Sequence, residues 1–100
     1  IAHVDDVAAA FVALAAAPPG LRPLYHVNGG TTDIDAIAAL ARAARPELDL
    51  TVRDEAPPVV FPLVAADRIA ADIGFRARYG ADETIRRCIE HARNREECYV

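Results

Sequence analysis

The residues with the most chemistry in them lie at the start of the chain. His3 is followed by Asp5 and Asp6, and an imidazole beside carboxylates is a donor set that borderline and hard metal ions accept. Asp5 and Asp6 also stand where the N-cap and first turn of a helix want acids. That structural role is the one assigned to them, and no metal site is expected. Further on, Asn28-Gly29-Gly30 precedes a helical pattern. Glycines there would let a phosphate approach the N–H groups of a helix start, or they would supply the positive φ of a turn. The turn is the expectation. His26 lies in a short apolar run and is assigned to packing or surface. Phe61, Phe75 and Tyr79 are read as core and loop anchors rather than as a platform for stacking bases.

The chemistry that is missing narrows the choice further. The sequence contains no Ser, Lys, Gln, Met or Trp, and all 11 basic residues are Arg. A serine nucleophile, a Schiff-base lysine and a P-loop lysine are therefore excluded. A chain without Met is not an unprocessed translation product, so it reads as a piece of something longer. The 11 basic residues face 15 acidic ones for a formal net charge of −4, and no basic excess or stripe marks a nucleic-acid footprint. Near the end, Arg86, Arg87, Arg93 and Arg95 interleave with Glu83, Glu90, Glu96 and Glu97 as on a solvated helix face. No run nears the roughly 18 apolar residues of a membrane span, so neither nucleic acid nor membrane is expected as a partner. Cys88 falls at helical spacing beside Ile85, Ile89 and Ala92 and reads as a small core residue, while Cys98 reads as a free thiol near the terminus. With no C-x-x-C pair and no signal-peptide pattern, a reducing, cytoplasmic setting is expected.

The elements that must position these groups alternate between helix and strand. With 53% hydrophobic residues in 100, the chain is one small domain. Residues 5–17 carry Val4, Val7, Phe11 and Leu14 on one helical face and a run of alanines on the other, and Pro18-Pro19-Gly20 ends them. A helix with no charge on its far side is expected to be covered on both sides. Residues 24–28 read as a short strand. Thr31 or Thr32 then caps a helix whose stripe is Ile34, Ile37, Leu40, Ala41 and Ala44, stopped by Pro46. Residues 48–52 alternate as a half-exposed strand does. A third helix is expected over 66–73 with Gly74 as its stop, and a fourth over 81–93. Two strands this short cannot hold a free-standing sheet, so at least one is expected to join a sheet lying outside this chain.

Three stretches then carry a resemblance. His3-Val4-Asp5-Asp6-Val7-Ala8-x-Ala10-Phe11 is followed by Tyr25-x-Val27-x-Gly29-Gly30 and by the Thr-capped helix ending at Pro46. Asp67-Arg68-Ile69 and Asp72-Ile73-Gly74-Phe75-Arg76-x-Arg78-Tyr79 then lead into the last helix. This ordered set, spanning Ala2 to Ala92, resembles the C-terminal portion of the extended short-chain dehydrogenases/reductases, the NAD(P)-dependent epimerase/dehydratase family acting mostly on nucleotide sugars. The resemblance implies an α/β fold: the C-terminal, substrate-side fragment of a Rossmann-type enzyme, with about four helices and two or three short strands. Residues 1–30 would be the final helix and strand associated with a missing Rossmann domain, and residues 31–100 a small substrate-binding lobe. NAD or NADP would belong to the full-length parent, and no cofactor is expected on this chain. Its glycines do not form the Gly-rich fingerprint, a Tyr-x-x-x-Lys pair is impossible without lysine, Ala65 stands where Asp is common and Ala77 where Pro is usual.

The same resemblance implies Arg53 as a clamp on a diphosphate through the bidentate geometry of a guanidinium, with Asp54 and Glu55 beside it as the alternative that neutralises it. Arg68, on the short third helix, is assigned as a second substrate contact against a structural ion pair. No catalytic, cofactor-binding or metal residue is assigned. The functional expectation is the substrate-binding region of an NAD(P)-dependent oxidoreductase, inactive alone, with a small-molecule sugar substrate and a homodimeric assembly. The rival expectation is a non-catalytic, truncated interaction or oligomerisation module.

Overall fold

The computed structural model describes residues 1–98, with side chains to Arg95. Four helices follow one another: α1 Val4–Ala16, α2 Ile34–Ala44, α3 Asp67–Ile73 and α4 Ala81–Cys98. No strand occurs among the described residues, which overturns the α/β expectation. A β-strand exists only through a ladder with a neighbour, and residues 24–28 and 48–52 have none. Guanidinium groups take ladder positions instead. Arg68 donates to the Leu24 carbonyl at 3.4 Å and Arg42 to the Leu50 carbonyl at 3.0 Å.

The helix starts follow local chemistry, with different residues in charge than the sequence suggests. The N-cap of α1 is His3, whose Nδ1 accepts from the Asp5 N–H at 3.1 Å, leaving Asp5 and Asp6 both in the first turn. Asp33, and neither Thr31 nor Thr32, caps α2 by accepting from the Ala36 N–H at 2.8 Å. Helix α3 ends as expected at Gly74, whose φ of 71° suits only glycine comfortably. At the head of α4 the Gly80 carbonyl accepts from both the N–H and the hydroxyl of Thr84, at 3.0 and 2.8 Å. A Glu83–Arg87 pair at 2.9 Å then bridges the next turn. The helix continues beyond the expected stop at 93, through the charged residues that follow.

Among the described residues each helix contributes one residue to the buried apolar core: Ala10, Ala38, Ile69 and Ile85. Two of these are alanines, so little apolar surface is removed from water at about 25 cal/mol per Å². Helices α2 and α4 form the broad helix–helix contact. The radius of gyration is 16.8 Å, against about 13 Å for a compact chain of this length. Helix α1 is docked through few of its residues. It buries Asp6 and Ala10, while Val4, Phe11 and Val12 are each at least 70% exposed. Half of the expected apolar face of α1, Val4 and Phe11, therefore points outward while Val7 and Leu14 are half-buried, because the helix is docked through its Asp6 side. Phe61 is likewise 82% exposed, between Val60 and Leu63 at similar values, so it anchors nothing here. Cys88 is exposed too: it opens onto a cavity beside α4 and not onto the core. The Cys98 side chain lies outside the described residues.

A second polar tie holds the segment before residue 30 to α3. The Tyr25 hydroxyl donates to Asp72 at 2.7 Å and accepts from the Arg22 N–H at 2.9 Å, and Arg22 Nε lies 2.9 Å from the same carboxylate. Removing the hydroxyl with Tyr25→Phe is expected to cost about 1 kcal/mol, since a hydrogen bond to a charged group is lost at a partly exposed site. The urea midpoint of the variant checks this; an unchanged midpoint would show that the tie contributes nothing.

Candidate functional site

The most constrained point of the molecule joins residues from distant parts of the sequence. Asp6 is 4% exposed, and its two carboxylate oxygens accept from the N–H groups of Arg78 and Tyr79 at 2.9 and 3.0 Å. Charge-assisted bonds of this kind are among the stronger ones in proteins. The Asn28 side chain accepts from the Gly30 N–H at 3.0 Å and donates to the Val64 carbonyl at 2.7 Å. Gly29 donates its N–H to the Ile1 carbonyl at 2.8 Å. A Cβ on Gly29 would overlap the Tyr79 carbonyl, and one on Gly30 would meet Ala81 at 3.2 Å. Neither glycine has positive φ. The expected strand-to-helix turn with positive φ is therefore overturned: these glycines serve close approach of two backbones instead. A phosphate-binding role has no room here, because the Tyr79 carbonyl crowds Gly29 and the Asp33 carboxylate sits on the N-terminus of α2.

Beside this junction lies a cavity of about 530 Å³ between the start of α1 and α4, lined by His3, Val4, Arg87, Cys88 and His91 among others. Two of the lining residues pack on Tyr79: the His3 ring lies 4.5 Å from the Tyr79 ring at 45°, and the Arg87 guanidinium stacks 4.3 Å from the ring centroid. The hydrogen bond that Arg87 donates to Glu83 holds its guanidinium above its ordinary pKa. His3 uses Nδ1 as an acceptor for the cap, which assigns its proton to Nε2 in the neutral ring. Both charged and aromatic groups are thus engaged with one another. No group of three His, Cys, Asp or Glu side chains among the described residues is placed to hold a metal.

The two arginines assigned to substrate lie apart in function. Arg68 is exposed on α3 and donates to Leu24, so it holds backbone. Arg53 is exposed and lines a groove of about 350 Å³ with Ile34, Ile37, Ala41, Leu50 and Val52. Among the described residues no acid, Asp54 and Glu55 included, pairs with it. No known family model, curated protein or solved structure matches the chain. No helix among the described residues is long and apolar enough to cross a membrane.

Sequence reasoning assigned Asp6 to a helix start and missed its larger role, the clamp on residues 78–79. No local signal could have shown it, since the partners lie 72 and 73 positions away. The groove beside Arg53 was missed as well, although the alternation over 48–52 and the α2 stripe were its raw materials.

Proposed function

We propose that this chain is the substrate-binding C-terminal region of an NAD(P)-dependent epimerase/dehydratase-like oxidoreductase, acting on a nucleotide sugar or a related sugar. One observation carries the reading. Asp6 holds Arg78–Tyr79 through two hydrogen bonds, and Gly29 of Asn28–Gly30 packs against the Tyr79 carbonyl, so three stretches that bear the resemblance come together. Residues that matter to one architecture should converge in this way even when far apart in sequence. Arg53 is the substrate contact this reading favours, because its guanidinium has no partner among the described residues, and Arg68 is the second.

The residues present do not fit a dinucleotide: there is no Gly-rich turn, and Asp33 already occupies the α2 N-terminus. Cofactor binding and hydride chemistry therefore belong to a Rossmann lobe outside this chain, in a cytoplasmic homodimer. The outward apolar face of α1 is a surface such a lobe would cover. A second reading, a non-catalytic association module, draws on the expanded shape and the exposed Val60, Phe61 and Leu63.

The coding sequence directly upstream of Ile1 tests the choice. A Gly-rich strand-turn-helix followed by Tyr-x-x-x-Lys is the expected result. A start codon just before Ile1 would overturn the enzyme reading in favour of the module. The isolated chain should then sediment as an associated species and bind no NAD(H) at micromolar concentration; a compact monomer with a cooperative melt would refute the module.

A further inference from the structure

We infer that the groove between α2 and residues 50–53 binds a small amphipathic anion, with its carboxylate on Arg53 and a short apolar body along α2. The inference goes beyond the preceding reading and does not rest on it: both take Arg53 as a ligand contact, but here the anion is a carboxylate on a short hydrocarbon, in place of a sugar diphosphate. What it adds is the class of ligand, and the groove itself supplies the reason. Its walls are Ile34, Ile37, Ala38 and Ala41 from the helix and Leu50 and Val52 from the returning chain. Its volume of about 350 Å³ falls at the small end of ligand sites, which run from about 300 to 1,000 Å³.

Arg53 gives this apolar wall one polar end. Among the described residues the neighbouring arginine on α2, Arg42, is engaged with the Leu50 carbonyl at 3.0 Å, and Arg45 lies 2.7 Å from Glu47. Arg53 has neither kind of partner. An unpaired guanidinium at the edge of an apolar trough complements a carboxylate attached to hydrocarbon. A bare sugar would leave the apolar wall without a counterpart, and an uncharged hydrocarbon would leave the guanidinium without one. Apolar burial and a charge-assisted hydrogen bond therefore point to the same ligand.

The test uses the whole chain, labelled with ¹⁵N, and three small molecules: hexanoate, 1-hexanol and inorganic pyrophosphate. Hexanoate is expected to shift the amides of α2 and residues 50–53 saturably, and to bind at least about fivefold tighter than either of the others. Arg53→Gln, a surface change that leaves the fold alone, should weaken hexanoate by about the same factor and leave 1-hexanol unaffected. Ala41→Leu fills the groove and should abolish both. Absence of a saturable shift, or equal hexanoate binding by Arg53→Gln, would overturn the inference. Pyrophosphate binding tighter than hexanoate would also overturn it, while leaving Arg53 standing as the diphosphate contact of the enzyme reading.

Discussion

Asp6→Ala should remove most of the stability of this chain. The substitution deletes the acceptor for two backbone N–H groups, those of Arg78 and Tyr79. Hydrogen bonds to a charged group contribute about 1.5–3 kcal/mol each, and a buried donor left without a partner adds its own desolvation cost. A loss of about 3 kcal/mol is expected, against total stabilities of about 5–15 kcal/mol for ordinary domains. Among the described residues Ala10, Ala38, Ile69 and Ile85 form the buried apolar core, so the domain belongs near the lower end of that range. The urea midpoint, followed by far-ultraviolet circular dichroism, reads the effect. Asp6→Asn gives the control: one amide oxygen replaces two carboxylate oxygens, so an intermediate loss is expected. If Asp6→Ala shifted the midpoint no more than an exposed Asp5→Ala does, the clamp would have no energetic meaning.

Gly29→Ala is the second large effect, by a route that involves no lost hydrogen bond. The added methyl would overlap the carbonyl of Tyr79, and a backbone atom cannot swing aside as a side-chain end does. Overpacking of a fixed contact costs about 1–3 kcal/mol. Because Tyr79 also packs on His3 and Arg87, any shift of its backbone reaches the cavity beside α4. The variant should therefore lose stability and also change the amide shifts of residues 79–87. Gly80→Ala serves as the comparison, since a Cβ there meets open space. Equal stabilities for the two variants would refute the close-approach role.

How legible the molecule was depends on whether the determinant is local. All four helices could be located from spacing and stops, because Gly74 and Pro46 act on their own neighbours, whereas the caps fall on His3 and Asp33 and not on Asp5 or Thr31 or Thr32. The strands could not: alternation over residues 24–28 and 48–52 describes what a strand needs from its side chains, whereas a strand also needs a second backbone. Burial misled for a related reason. The Val4, Val7, Phe11 stripe marks a face that would pack well, yet α1 is oriented by a carboxylate whose partners are at the other end of the chain. The same holds at the candidate sites. Arg53 was legible as a guanidinium near a turn, while the apolar wall beside it exists only once α2 and residues 50–53 are side by side.

The Asp6–Tyr79 contact also sets a schedule for assembly. Its ends are 73 positions apart, and closing a flexible loop of that length costs about 4 kcal/mol of chain entropy before any constant is added. The two bonds formed at the closure return an amount of similar size. Closure is thus nearly neutral by itself and becomes favourable only after α2, α3 and α4 have shortened the effective loop between them. Helix α1 is consequently a late arrival in folding, and the first element to detach when the chain is pulled or warmed.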